Sequence, residues 1–444
     1  MSVTALPVPS QKKASARAGS FGDISRQRDA LVLDAGTRQA LTTLRSLGRT
    51  GLSTTLVECR TCGVYGRWSP PAFWSRWAEA GVVVPDFSED SDEFAAKVVD
   101  LVANSPTTVV IPGTDESIAS LRPWRGRIEK HAKLALASEE ALDLATNKAT
   151  TLALARQLGI PVPRGAVVGP FEDVCSAALE IGFPAVVKPV MSWLREHGGQ
   201  RLLARDVMDE TEAIAAGKEL AQVGVGCLVQ EWVPGRREAV GLFRAGGKIL
   251  AEFAQAAMRT TPVLGGAFVL RESIPMPEDI RAAAVALVNT MELDGYSEVE
   301  FRRDRRGRAL LMEINPRLSG SIELAARCGI DFPLLLWRWA AGGPLEKVNG
   351  YRVGARLRWL SGDVRWLLET LSCPGRPDAL GRAKALAIFS RDFTRRAAYD
   401  CFDRHDPGPG VSELSHSVLK VGRLVSGRGV WSHLERGRAR AGGS

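Results

Sequence analysis

Ser297-Glu-Val-Glu-Phe301 and Ala309-Leu-Leu-Met-Glu-Ile-Asn-Pro316, joined across Asp304-Arg-Arg-Gly307, decide how this chain is read. Both runs alternate, and the polar, Gly-containing link makes a β-hairpin the natural reading. In the first run Ser297, Val299 and Phe301 face one way, and Glu298 and Glu300 the other. In the second, Leu310, Met312 and Ile314 share one face, and Leu311, Glu313 and Asn315 the opposite one. Glu313 and Asn315 then sit ~7 Å apart on that face, and pairing across the hairpin brings Glu300 beside them. Two carboxylates and an amide oxygen converging on one sheet face make an all-oxygen site suited to Mg²⁺, with positions left for phosphate oxygens and water. The bland alternative is a solvated polar face.

Outward from the hairpin, Lys188 ends the apolar run Pro184-Ala-Val-Val-Lys188-Pro189, where a buried ammonium without an anion would be costly. Lys148 follows Asn147 in a helical stretch and says little by itself. Val229-Gln-Glu-Trp-Val-Pro-Gly235 places an acid and backbone carbonyls where a strand meets a turn, an arrangement able to read an adenine edge. Glu238 follows seven residues after Glu231. Neither G-x-x-x-x-G-K-[ST] nor a kinase-type H-R-D set is present, so any nucleotide is held by another device.

The chain divides by texture. Residues 1–29 are small and polar without periodicity and read as a disordered tail. From Ala30 to residue 137, short apolar strands (30–33, 52–59, 82–85, 107–111) alternate with helical spacing (37–47, 92–103), which predicts a parallel sheet covered by helices. Pro112-Gly-Thr-Asp115 follows a strand's carboxyl end, where such sheets place ligands. Asp115 could touch a substrate there or cap a helix. Gly36 stands alone where G-x-G-x-x-G is needed, so no dinucleotide fingerprint is present. Residues 138–345 read as a helix 138–158, a further helix 171–181, antiparallel strands at 226–233, 238–244, 247–257 and 266–272, a helix 278–291 and the hairpin. Residues 346–444 read as a helical extension with a basic tail, with a strand at 353–360, helices around 364–371 and a Pro/Gly break at 406–410.

With 444 residues, 58 Lys+Arg against 50 Asp+Glu, 45% apolar and 24% charged residues, the chain has the composition of a globular protein of several domains. Its most apolar long run, 332–341, is broken by Arg338, so no membrane-spanning helix is expected. Met1 to Ser20 lacks the apolar segment of a secretory signal, and the cytoplasm is the expected location. Seven scattered cysteines argue for reduced thiols over a disulfide framework. Cys59 and Cys62 lack the second pair a zinc site needs. The arginines at 423, 428, 436, 438 and 440 could touch RNA, but they read as a solvated end, and no nucleic-acid partner is expected.

The ordered set Lys148, Lys188, Glu231, Glu238, Glu300, Glu313, Asn315, Arg317 resembles that of the ATP-grasp superfamily of carboxylate–amine and carboxylate–thiol ligases, over about 138–342. The first domain resembles the Rossmann-like domain that usually precedes the grasp. The resemblance therefore implies an α/β and α+β chain in which two subdomains, a lid at about 150–230 and the hairpin sheet, clamp a nucleotide. It implies ATP and Mg²⁺, with Mn²⁺ as an alternative metal. Lys148 and Lys188 would contact the α- and β-phosphates. Gln230, Glu231 and Val233 would line the adenine pocket, Glu238 would hold the ribose, and Glu300, Glu313 and Asn315 would bind the metal. Arg317 would grip the γ-phosphate or an acyl phosphate, and Arg259 a substrate carboxylate.

The activity so implied joins a small-molecule carboxylate to an amine through an acyl phosphate, releasing ADP and phosphate. A closing lid must exclude water from that intermediate, and 191–200, with Gly198-Gly199 as its flexible point, is the candidate segment. Homodimers are frequent among relatives. Two departures stand out: the loop 193–197 is bulky where the family is rich in Gly and Ser, and Asn147 replaces the Asp that often precedes the first lysine. Two rivals remain, an ATP-driven carboxylase or other-acceptor enzyme and a non-catalytic nucleotide-binding protein.

Overall fold

A computed structural model describes residues 21–59, 70–194, 200–263, 265–372 and 380–415. The tail arginines, Cys62 and Gly198-Gly199 lie outside the described residues. Five parallel strands form the first sheet, in the spatial order Ala80–Val84, Thr54–Cys59, Arg28–Val32, Thr107–Ile111, Lys133–Leu134. Thr37 caps the helix Arg38–Arg49 on one face of it, and Asp90 caps Ser91–Asn104 on the other. Both faces are apolar and buried, as a helix-covered parallel sheet requires.

The stretch expected as one helix, 138–158, is two. Asn147 breaks it because its side chain accepts from the backbone N–H groups of Ala149 and Thr150 (2.9 and 3.4 Å), capping a new helix that starts at Lys148. A four-stranded antiparallel sheet follows, in the order Arg205–Val207, Ala185–Pro189, Cys227–Glu231, Gly165–Val168. Two helices, Val174–Ile181 and Glu210–Gln222, bury Val187 and Val229 on one face of it. Strand alternation leaves Val186, Lys188, Leu228 and Gln230 on the other face.

The third sheet has seven strands, in the order Ala309–Asn315, Gly295–Arg303, Arg237–Ala245, Lys248–Thr261, Ala267–Ser273, Arg356–Arg358, Ala398–Tyr399. The hairpin pairs Glu298 with Asn315 and Glu300 with Glu313, and Gly307 closes its turn at φ +77°. Its register shifts by one residue between Glu300 and Phe301. This bulge at Met312 corrects the expected faces: Leu311 joins Val299, Phe301 and Ile314 in the core beneath the helix Glu278–Thr290 instead of lying beside Glu313. The strand expected at 353–360 is Arg356–Arg358 of this sheet, and the helix around 364–371 is Leu360–Ser372; the same segment adds the unexpected edge strand Ala398–Tyr399 and the helix Arg382–Phe393. No helix among the described residues is long and apolar enough to cross a membrane.

Buried ions tie these layers together. Asp400 accepts from Arg271 at 3.0 and 2.5 Å and from Arg38 at 3.2 Å, joining the C-terminal segment to the large sheet and to the first domain. Burial alone would raise its carboxyl pKa, but Arg271 and Arg38 hold it below the ordinary value. Arg45, with no exposed surface, donates to Asp406 (2.9 Å) and to the carbonyls of Asp400 and Cys401 (2.8 Å each). Removing one member leaves a buried charge without its partner. Asp400→Ala is expected to cost about 3–5 kcal/mol, read as a lowered urea midpoint. Asp100→Ala, on the exposed Lys97 pair, should leave the midpoint unchanged.

Candidate active site

The hairpin carries Glu298, Glu300, Glu313 and Asn315 on one sheet face, where the first domain and the lid sheet approach it. Glu300 is buried, contacts Arg237 and accepts from Asn315 Nδ2 at 3.4 Å. Burial pushes its carboxyl up to about 7 against the opposing pull of Arg237. Burial would raise Glu313 as well, but Lys148, Lys188 and Arg237 together hold it below the usual carboxylate range. Lys188 reaches the same space from the lid sheet. Burial draws its ammonium down to about 8, and Glu313 opposes that shift. Lys148 starts its helix with Nζ 2.8 Å from Ser192 Oγ.

From the first domain comes Asp115, in the first turn of the helix Asp115–Leu121 capped by Thr114. It holds Arg317 through both carboxylate oxygens, at 2.6 and 3.0 Å, and Arg317 also lies 3.4 Å from Asn315 Oδ1. Asp115 is thus neither the cap nor idle: it fixes the arginine next to the carboxylates. A cleft opens between Asp115, Lys148, Ser192, Trp193, Glu313 and Asn315. Trp193, the first of the bulky loop residues, is buried edge-on against Phe87 of the first domain (centroids 5.3 Å apart) and walls this cleft. Its strand, Trp193–Leu194, pairs with Gln200–Arg201, so the described ends of the lid segment are held together.

The remaining expected residues are placed as follows. Gln230 is 2% exposed on the cleft face, and neither of its amide atoms has a hydrogen-bond partner among the described residues. Two buried unpaired polar atoms are expensive, so Gln230 fits a ligand edge that both donates and accepts. Glu231 turns to the other side, taking the Arg164 backbone N–H at 2.9 Å and its Nε at 2.8 Å. The Val233 carbonyl accepts from Arg302 at 2.6 Å. Glu238 pairs with Phe301 on the sheet face opposite Glu300 and accepts from Arg303 at 2.8 Å. Arg259 is not brought to the cluster. Asp363 and Asp392 engage it at 2.7 and 2.9 Å, with Trp366 beneath it.

Sequence reasoning passed over Arg237 and Glu298. Arg237 is masked by its acidic neighbour Glu238, although strand alternation turns it to the same face as Glu300. Glu298 accepts from Gln255, Ser319 and Ser321, each at 2.9 Å. Its own alternation with Glu300 was the available signal. No group of three His, Cys, Asp or Glu side chains placed for a metal occurs among the described residues. A hard cation here would rely on the two carboxylates, the Asn315 oxygen and oxygens of its substrate, which suits Mg²⁺.

The three-sheet architecture is that of an ATP-grasp fold. Residues 227–362 match the family described as ATP-grasp in the biosynthetic pathway with Ter operon. A D-alanine–D-alanine ligase of Pseudomonas entomophila is 28% identical over 208 residues, 44% of this chain and 63% of the relative. The chain thus spans less than two thirds of that relative's length. The biotin carboxylase of Campylobacter jejuni superposes with a TM-score of 0.55 at 17% identity over 74% of each chain. An L-amino acid ligase from Bacillus licheniformis gives the same score and identity over 74% of this chain and 79% of its own. The family match over residues 227–362, the ligase relatives and the shared fold together support the ATP-grasp superfamily.

Because burial lowers Lys188 while Glu313 raises it, Glu313→Gln should move the Lys188 ammonium pKa below about 8 in the nucleotide-free protein. ¹³C NMR of dimethylated lysines across pH 6–10 reads this directly. An unchanged or raised value would remove Glu313 from its neighbourhood.

Proposed function

We propose that the chain is an ATP-dependent ligase that activates a small-molecule carboxylate as an acyl phosphate and joins it to an amine, releasing ADP and phosphate. The observation that carries this reading is the convergence of Glu300, Glu313 and Asn315 from one sheet with Lys148 and Lys188 from the opposite wall. Glu300, Glu313 and Asn315 would hold Mg²⁺, which would supply charge neutralisation for the phosphates.

The chain's own groups divide the remaining work. Lys148 and Lys188 balance charge that spreads over the phosphates as the substrate carboxylate attacks the γ-phosphorus in line. Arg317, held by Asp115, is aimed at the transferred group. Gln230 offers its paired donor and acceptor to the adenine edge, and Trp193 keeps water from the acyl phosphate. Glu231, Val233 and Glu238 would need to exchange their present partners to meet the nucleotide. The relatives supporting this reading include D-alanine–D-alanine ligases. The fold is shared equally with a biotin carboxylase and an L-amino acid ligase, so acceptor trials must include bicarbonate. A cytoplasmic location fits such substrates, and a homodimer fits the superfamily.

Phosphate release across a panel of amino acids and small acids, with amine, thiol and bicarbonate acceptors, identifies the reaction. With the substrate so found, Lys188→Ala and Glu313→Gln should each lower turnover by about 100-fold or more. Turnover equal to the parent in either variant overturns the assignment. Tight MgATP binding with no turnover on any acceptor would favour a non-catalytic binder.

A further inference from the structure

A second cavity, about 630 Å³ and open to solvent, lies beside the carboxylate cluster. Its near wall is the strand start Gly235-Arg236-Arg237 with Trp232 and Arg302. Its far wall comes from the C-terminal helices Leu360–Ser372 and Arg382–Phe393, through Trp366, Ile388 and Arg391. Trp366, Ile388 and Arg391 of that far wall lie beyond the family match, which ends at residue 362.

The cavity is cationic on balance. Five arginines line it, Arg236, Arg237, Arg259, Arg302 and Arg391, of which Arg237 is paired with Glu300 and Arg259 with Asp363 and Asp392, against two acids, Glu272 and Asp392. Both acids are already committed: Glu272 to Arg356 at 2.8 Å and Asp392 to Arg259 at 2.9 Å. Arg236 and Arg391 are about half exposed and reach carboxylates only at 3.8 and 3.7 Å, too far for a good hydrogen bond. Arg302 lies over the Trp232 ring at 5.8 Å, and the buried Trp232 Nε1 has no hydrogen-bond partner among the described residues. Guanidinium groups around an indole floor select carboxylates or phosphates attached to an apolar segment. Arg237 joins this cavity to the reacting end by its contact with Glu300.

We propose that this cavity binds the anionic part of one substrate, an oligoanionic small molecule with an apolar segment, held by Arg236, Arg302 and Arg391. That the ligand is a substrate rests on the ligase reading above, whereas its binding does not. Three guanidinium groups at one cavity call for a ligand with two or more negative groups beyond the one that reacts.

Calorimetry on the full chain, with MgADP filling the nucleotide site, tests this using triglutamate, triphosphoserine and trilysine as probes. The expected result is salt-sensitive binding of an anionic peptide and none of trilysine, and the tighter of the two anions assigns carboxylate or phosphate. Arg236→Glu and Arg391→Glu should each weaken that binding by about tenfold, with MgATP affinity unchanged and partial recovery in Arg391→Lys. Failure of both anionic peptides to bind the parent, or indifference to both reversals, overturns the proposal. Anion binding without ATP turnover on any acceptor would keep this site and discard the ligase reading. Turnover without anion binding would do the reverse.

Discussion

The buried Arg271 of the large sheet and the largely covered Arg38 of the first domain share the single carboxylate of Asp400. The placement of the whole site depends on that sharing. The cleft's walls come from separate parts of the chain: the hairpin, the lid sheet, and the helix that begins at Asp115. Guanidinium groups that deep are tolerable only when paired and hydrogen-bonded, so the first domain is held where Asp400 requires it. Asp115 then meets Arg317 without either side chain having to search for the other.

Charge inside the cleft is balanced with little surplus. Glu300 is neutralised in part by Arg237, and Glu313 by the two lysines and the same arginine. Each group's pKa leans on its neighbours. Arg259 lies outside this cluster, and its partners are buried acids that pack the C-terminal helices.

Much of this was legible before any coordinates. Alternation along 297–301 put Glu298 and Glu300 on one face because each residue of a strand reverses direction, and the parallel sheet of the first domain followed from its apolar strands. What escaped reading depends on distance along the chain. Arg259 meets acids 104 and 133 residues away, and no local pattern announces such partners. Asn147 carried the signal of a helix cap and was read only as a departure from a motif. In the strand end Gln230-Glu231 the charged residue drew attention, although alternation from Lys188 and its partner Leu228 turns the amide to the cleft.

The extra residue at Met312 sets what the hairpin can accept in length. Side-chain direction is counted from the turn at Gly307, so the parity of the residues between there and Glu313 decides which face receives the carboxylate. A change of two residues keeps every side chain where it is. A change of one exchanges Glu313 and Asn315 for their hydrophobic neighbours unless the bulge vanishes or doubles with it, so the hairpin can lengthen or shorten only in even steps or at the bulge itself.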